Sequence, residues 1–214
     1  MEQTEQTKAI EARLQQRGRW KLLMVLAVCA APLIFSYLTY YVIKPQGRTN
    51  FGTLIDPRAH PIPALGATTL DGQPASLDAF KGKWIMLKTG PAACDKICME
   101  QMFAMRQVRS MTGKEMERIE RVWLITDDSP LETTLIRELD GMRMLRAPNA
   151  LVANWLPAEP GAKLDDTIFL IDPLGNLMER FPPVAAGATE AQKVQHYANI
   201  KKDVAKLLKA SAIG

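Results

Sequence analysis

The sequence predicts an α/β domain, with a mixed sheet and helices on both of its faces, behind a single N-terminal transmembrane helix. Three observations support this: an uncharged apolar run near the N-terminus, strand-like runs that alternate with helical segments, and a late apolar hairpin. Alternating strands and helices form parallel pairs, and a terminal hairpin adds antiparallel ones. We expect four segments: a cytoplasmic tail at 1–21, the transmembrane helix at 22–43, an extended linker at 44–63 and the α/β domain at 64–214.

The run from Leu22 to Ile43 contains 22 residues and no charge. As a helix it would be about 33 Å long, against roughly 30 Å for the hydrocarbon core of a bilayer. Trp20 on one side and Tyr40 and Tyr41 on the other lie where aromatic residues collect at membrane interfaces. The run exceeds the apolar part of a signal peptide and no A-x-A site follows it, so we expect a retained single-pass anchor.

The charge distribution indicates the orientation of this anchor. Basic residues are more numerous before the span (Lys8, Arg13, Arg17, Arg19 and Lys21) than after it (Lys44, Arg48 and Arg58). This bias places the N-terminus inside a bacterial inner membrane and the domain in the periplasm, where disulfides persist.

The same distribution disfavours one class of function. The net charge is +4, but all of the excess lies in the first 60 residues, and the rest of the chain has equal numbers of acidic and basic side chains. A nucleic-acid-binding protein needs a basic footprint on its folded domain. We therefore expect no nucleic-acid partner.

Within the domain, apolar runs and turn residues indicate the elements. Asp71-Gly72 predicts a β-hairpin, and Asp128-Ser129-Pro130 is expected to cap a following helix. Residues 142–160 are ambiguous. The predicted buried strands are Trp84–Lys88, Val122–Thr126, Thr167–Ile171 and Asn176–Phe181, and the predicted helices are about 94–111, 131–139 and 189–210.

Cys94 and Cys98 are the candidate functional residues. They are four residues apart where a loop meets a helix N-terminus, directly after a buried strand. On an ideal helix their Cα atoms would be about 6 Å apart, within disulfide range. A helix N-terminus stabilises thiolate, the form that attacks disulfides and binds soft metals such as Cu(I). A structural disulfide is the alternative, but a loop this short gains little stability from closure. Cys29, in the apolar span, is expected to be inert.

Several motifs resemble the SCO/SenC family of thioredoxin-fold factors that assemble the copper A centre of cytochrome c oxidase. The C-x-x-x-C pair opens a helix after a buried strand, Ile125–Pro130 is similar to the family's strand with an acidic end, and Phe169–Gly175 is similar to its late hairpin. The resemblance covers roughly residues 64–208. It implies a thioredoxin-like fold, Cys94 and Cys98 as redox residues and copper ligands, and an oxidase subunit or other assembly factors as partners.

The chain departs from the family pattern in two places. Asp95 and Met99 stand where the family has prolines, and Asp165-Asp166-Thr167 stands where it has its third copper ligand, a histidine. The resemblance therefore supplies two copper ligands and no third. Two further functions remain open: a general periplasmic thiol–disulfide oxidoreductase, and a non-catalytic assembly scaffold that has lost copper binding.

A few other side chains could contribute to a site, each with a simpler interpretation. Met102 and Met105 share a helical face with the cysteines and could offer thioether ligands, but methionines at helical spacing usually fill cores. His196 is expected to be solvated. Asp127 and Asp128 are expected to be turn and helix-capping residues rather than catalytic acids.

Overall fold

A computed structural model of the protein describes residues 2–43, 50–158 and 161–211. Part of the expected linker, at 44–49, and the end of the expected domain, at 212–214, lie outside these residues. The chain divides into two compact units, Met1–Thr49 and Asn50–Gly214. The second unit thus begins earlier than the boundary expected at residue 64.

The first unit contains the apolar helix that the sequence predicts. Helix α1 spans Glu2–Leu38 and continues through Pro32, and Thr39–Ile43 extends it as a π-helical turn. Its portion from Arg19 to Val42 is long and apolar enough to cross a membrane by length and composition. An internal proline is common in membrane helices, where other groups satisfy the freed backbone carbonyl.

The second unit is built on a mixed sheet of seven strands, with the order β1-β7-β6-β3-β4-β5-β2 among the described residues. The strands are β1 Thr53–Leu54, β2 Thr68–Thr69, β3 Trp84–Gly90, β4 Ile119–Ile125, β5 Arg143–Arg146, β6 Ile168–Ile171 and β7 Leu177–Phe181. The helices are α2 Lys96–Met111, α3 Thr133–Glu138, α4 Asn149–Trp155 and α5 Glu190–Ala210. The predicted α/β class with a mixed, thioredoxin-like sheet is confirmed.

Strand β3 is the centre of this sheet. It pairs in parallel with β4 over its whole length and antiparallel with β6. All seven of its residues are buried, because a central strand covered on both faces has no solvent side. Its alternate side chains enter two different cores: Trp84 and Met86 pack with α2 and α5, and Ile85 and Leu87 pack on the opposite face with Trp155 of α4.

Two local predictions differ from the structure, and one ambiguous segment has a defined structure. The turn at Asp71-Gly72 forms, but the two segments that flank it are joined by a single β-bridge, between Thr68 and Pro74, and do not make a hairpin of two strands. Strand β2 pairs with β5 instead. Asp128 does not cap α3, whose N-cap is Glu132. The ambiguous stretch 142–160 contains β5 and α4.

The segment expected to be an extended linker is in part attached to the sheet. Its β1 pairs antiparallel with β7, and the backbone amides of Phe51 and Gly52 donate hydrogen bonds to the carboxylate of Asp203 on α5. The attachment is made by backbone amides, and the side chains of this segment show no periodic apolar pattern. The sequence therefore does not predict the attachment.

A second buried carboxyl group, Glu179 of β7, lies beside this attachment. Glu179 is fully buried, and neither of its carboxyl oxygens has a hydrogen-bond partner among the described residues. A β-carbon at Gly52 would lie 2.7 Å from both the Glu179 carboxylate and the Phe181 ring, so a larger residue there would displace these buried side chains. Burial, and then the neighbouring charge of Asp203, raise the pKa of Glu179 to about 7.

We predict that Glu179→Gln stabilises the protein at alkaline pH. The folded chain keeps the Glu179 proton up to about pH 7, whereas the unfolded chain loses it near the ordinary value of 4.5. The wild-type free energy of unfolding should therefore fall between these two values as pH rises, and the neutral amide should abolish that fall. At about pH 8 the variant should gain roughly 1–2 kcal/mol, measured by urea denaturation of the full chain in detergent.

Glu138→Gln is the matched control, since Glu138 is an exposed carboxylate at the end of α3. It should leave the pH dependence of unfolding unchanged. A Glu179→Gln variant that still lost stability across the same pH interval would show that another group is responsible.

Candidate functional site

The two predicted cysteines lie where β3 ends and α2 begins. Strand β3 ends at Gly90, whose φ of +145° favours glycine, and a loop leads to Asp95, the N-cap of α2. The Asp95 side chain accepts a hydrogen bond of 2.9 Å from the Cys98 amide. The helix therefore begins at Lys96 rather than at Cys94 as expected, because Asp95 caps it there.

Cys94 and Cys98 form a disulfide, with their Cα atoms 5.2 Å apart. Cys94 lies just before the N-cap and Cys98 in the first turn of α2. Both are half-buried: one side of each packs on the core shared with α2, while Asp95, Lys96 and Ile97 between them are exposed. Both residues of the pair are therefore partly exposed at the surface of the domain. Cys29, in α1, is a free thiol.

The loop that carries Cys94 is held by residues that follow β4. The amide of Thr126 donates a hydrogen bond of 3.0 Å to the Gly90 carbonyl, and the amide of Ala92 donates one of 2.9 Å to the Asp127 carboxylate. Arg146 of β5 in turn donates hydrogen bonds to the carbonyls of Asp127 and Ser129. Asp127 thus fixes the cysteine loop across the sheet edge, a role that the sequence assigned to local turn formation.

Lys88 is a residue of this site that sequence reasoning missed. It lies on β3 and is only 1% exposed. Its ammonium group donates hydrogen bonds to the carbonyls of Thr89, at 2.8 Å, and of Asp165. A signal was present in the sequence, because Lys88 ends an apolar run that predicts a buried strand. A lysine in such a strand is costly to bury without partners, so its presence indicates specific contacts.

The electrostatic surroundings of Lys88 are acidic. Burial lowers the pKa of Lys88 to about 8, against the opposing attraction of Asp165, Asp166 and Asp95. Burial also raises the pKa of Asp165, and here the charge of Lys88 opposes the shift. At about pH 7 the Lys88 amine is therefore mainly protonated.

A short turn, Leu164–Asp166, which we call the late turn, precedes β6. The sequence resemblance implied a third copper ligand in this region of the chain. The Asp165 side chain lies 3.5 Å from where a β-carbon on Gly90 would be, so the late turn packs at the start of the cysteine loop. The late turn carries the carboxylates of Asp165 and Asp166, and Thr167, which follows it, is buried and donates a hydroxyl hydrogen bond of 3.4 Å to the Lys163 carbonyl. These hard oxygen atoms suit Cu(I) poorly.

The described residues contain no group of three or more histidine, cysteine or acidic side chains able to hold a metal ion. The residues present therefore do not fit a complete three-ligand copper site. Met102 and Met105 are 1% and 0% exposed and belong to the core against which the cysteines pack. They fill the core in this structure.

His196 is half-buried rather than solvated as expected. Its ring packs edge-on against Phe51, with the ring centroids 5.0 Å apart, and burial lowers its pKa. This contact was not predictable from local sequence pattern, because Phe51 belongs to the attached segment far away along the chain.

Two family models match the chain. One, described as "Transmembrane-like, thioredoxin-like, C-terminal domain", matches residues 84–211, and the other, "Transmembrane-like, N-terminal domain", matches residues 12–42. The second match agrees with the apolar helix of the first unit and indicates a membrane anchor. No protein of curated function matches the chain.

Solved structures similar to this chain include proteins of the SCO and thioredoxin families. A putative protein disulfide isomerase from Bacteroides thetaiotaomicron is 19% identical, with 75% of this chain and 95% of that chain covered and a TM-score of 0.50. A SCO1/SenC family lipoprotein from Bacillus anthracis is 18% identical over 72% and 99% of the two chains, with a TM-score of 0.49. BsSco, of the Sco family of cytochrome c oxidase assembly proteins, is 12% identical over 73% and 98%, also with 0.49. At these identities the likeness concerns the fold.

Proposed function

The chain belongs to the family of transmembrane-like proteins with a thioredoxin-like C-terminal domain, and from this premise we propose that it is a membrane-anchored thiol–disulfide exchange protein. We propose Cys94 and Cys98 as its reactive pair, and the assembly of cytochrome c oxidase as the process in which it acts. The anchor would place the domain in the periplasm.

One observation supports this chemistry above the rest: a half-exposed disulfide at the junction of β3 and α2. A disulfide that only braced the fold would be expected in the core or across distant segments, where closing a long loop constrains the unfolded chain most. Cys94–Cys98 instead closes a short loop at a helix N-terminus, whose partial positive charge favours a thiolate.

In the proposed reaction, the reduced pair reduces a disulfide of the partner protein. The thiolate of one cysteine attacks a partner sulfur, the partner's S–S bond breaks, and one partner sulfur leaves as a thiolate that takes a proton from solvent. The second cysteine then displaces the mixed disulfide, which releases the other partner thiol and forms Cys94–Cys98. Two electrons pass to the partner, and a separate dithiol donor must reduce the pair again.

The choice of process rests on the SCO/SenC resemblance of the motifs around the pair. An oxidase subunit or another assembly factor would then be the partner. A general periplasmic thiol–disulfide oxidoreductase is the alternative favoured by the bonded pair itself, because this chemistry needs no third ligand. A non-catalytic scaffold would need neither the exposed pair nor its helix N-terminus.

The direct test of the chemistry is thiol trapping in the full-length protein. Cys94 and Cys98 should shift together between free and bonded forms when the reductant-to-oxidant ratio is varied, because the two sulfurs share one bond. Alkylation with a mass-tagged maleimide, followed by electrophoresis, measures this shift.

Cys29→Ser is the control and should leave the transition unchanged, since Cys29 is not part of the disulfide. A pair that resisted both mild reductant and mild oxidant would refute the exchange function. Co-purification with oxidase subunits, lost in the Cys94→Ser variant, would distinguish the assembly role from general oxidoreduction.

The proposed orientation is tested by reporter fusions at the carboxyl end of the chain. Alkaline phosphatase, which needs disulfides to be active, should be active there, because more basic residues precede the span than follow it. A fluorescent reporter that matures only in the cytoplasm should be dark at the same position. The opposite pair of results would place the domain in the cytoplasm and remove the oxidising compartment.

Copper binding is expected to be weak and confined to the reduced protein. Two thiolates suit Cu(I), but the late turn offers only oxygen ligands. Competition with a calibrated Cu(I) chelator should show binding that is lost in Cys94→Ser and Cys98→Ser. Thr167→His or Asp166→His should tighten it, by roughly tenfold or more if the ring reaches the pair. Equal affinity in the wild type and the serine variants would exclude a metal role for the pair.

A further inference from the structure

Lys88 lies on the face of the sheet that carries the cysteine pair. Side chains alternate along a strand, so Lys88 follows Trp84 and Met86 on one face of β3. Trp84 and Met86 belong to the core against which Cys94 and Cys98 pack. The ammonium group is therefore buried on the same side of β3 as the disulfide.

Two further contacts place the ammonium group at the end of β3 from which the cysteine loop leaves. A β-carbon on Gly90 would be 3.6 Å from the Lys88 nitrogen, and Gly90 is the last residue before that loop. Lys88 also interacts electrostatically with Asp95, which lies between the two cysteines in the sequence. The charged groups that face Lys88 are the carboxylates of Asp95 and of Asp165 and Asp166 in the late turn.

The ammonium group of Lys88 is hydrogen-bonded to carbonyl oxygens and not to a carboxylate. The Lys88 nitrogen donates to two backbone carbonyls, of Thr89 and Asp165, and no ion pair to a carboxylate oxygen joins it among the described residues. Burying an ammonium group costs free energy that two carbonyls offset only in part. An anion formed nearby would offset more of that cost, and the reduced cysteine pair can form such an anion.

We propose that Lys88 is the buried positive charge that stabilises the reduced cysteine pair in its thiolate form, and that it thereby favours reduction of the Cys94–Cys98 disulfide. Lys88 is then a positioning residue that acts through the pair. The inference rests on the proposed thiol–disulfide exchange and specifies how the fold adjusts its redox equilibrium. A thiolate near a positive charge is stabilised, whereas the disulfide is uncharged and gains nothing.

The test compares redox equilibria of the full-length protein in detergent, with Cys29→Ser as background so that only the pair is counted. The protein is equilibrated at about pH 7 with mixtures of reduced and oxidised dithiothreitol. In the reduction, a dithiothreitol thiolate attacks one sulfur of the pair, the S–S bond breaks and the other sulfur leaves as a thiolate. The second dithiothreitol thiol completes the exchange, so dithiothreitol loses two electrons and the pair gains them.

Lys88→Gln removes the charge but keeps a side chain that donates hydrogen bonds to carbonyls. It should lower the equilibrium constant for reduction by roughly tenfold, which corresponds to about 30 mV for this two-electron couple. Lys88→Arg keeps the charge and should remain within about twofold of the wild-type constant. If Lys88 served only to hold the late turn, Lys88→Gln would behave like the wild type.

Lys83→Gln is the matched control, because it removes the same charge just before the opposite end of β3, where Lys83 pairs with Glu120. It should leave the constant unchanged. An effect of Lys88→Gln no larger than that of Lys83→Gln would overturn the role of Lys88 while leaving the exchange function intact. A pair that cannot be cycled even in the wild-type chain would overturn both.

Were the Arg variant unable to fold, the comparison of the two glutamine variants would still decide the question. If Lys88→Gln also failed to fold, the pH dependence of iodoacetamide alkylation of the reduced wild-type pair would decide it. A pH midpoint no lower than that of an unfolded peptide spanning 91–101 would show that no buried charge assists the thiolate.

Discussion

Strand β3 is covered on both faces, and its backbone is paired along both edges. Its neighbours, β4 and β6, run in opposite directions, so the strand joins the parallel and antiparallel halves of the sheet. Because each side chain must enter one of two cores, the strand has no register freedom: a slip of one residue would exchange Trp84 and Met86 for Ile85 and Leu87. The cysteine loop begins where this strand ends, at Gly90, so the register of β3 also sets the position at which the loop starts.

The same constraint explains why the site is held by backbone and carboxylate contacts. At the carboxyl end of β3, sheet pairing stops and the exposed backbone groups need other partners. Thr126 and Asp127, which follow the parallel strand β4, supply them to Gly90 and Ala92. Asp95 then caps α2. The pair is therefore presented by a loop attached at both ends, which limits the entropy lost when a partner binds.

Two of the places where the domain buries charged side chains have different consequences. Glu179 and Asp203 lie where the segment that follows residue 49 attaches to β7 and α5, and burial, followed by the neighbouring charge of Asp203, raises the pKa of Glu179. Lys88 lies beside the cysteine loop with carbonyl partners. Both groups cost folding free energy. For Glu179, a retained proton reduces this cost. Lys88 instead keeps its positive charge at neutral pH, near the cysteine pair that forms an anion when it is reduced.

The sequence alone determined the features that depend on local pattern. These are the apolar span of α1, the apolar strands, the late hairpin and the Cys94–Cys98 spacing at a helix start, because periodicity and turn residues act over a few positions. Only the tertiary structure decided what depends on distant segments. The carbonyl of Asp165 accepts a hydrogen bond from Lys88. The carboxylate of Asp127 accepts one from the Ala92 amide, and that of Asp203 accepts one from the Gly52 amide. Each contact joins groups that are far apart in the chain. No periodic pattern encodes such a pairing, because the two groups meet only once the strands of the sheet have assembled.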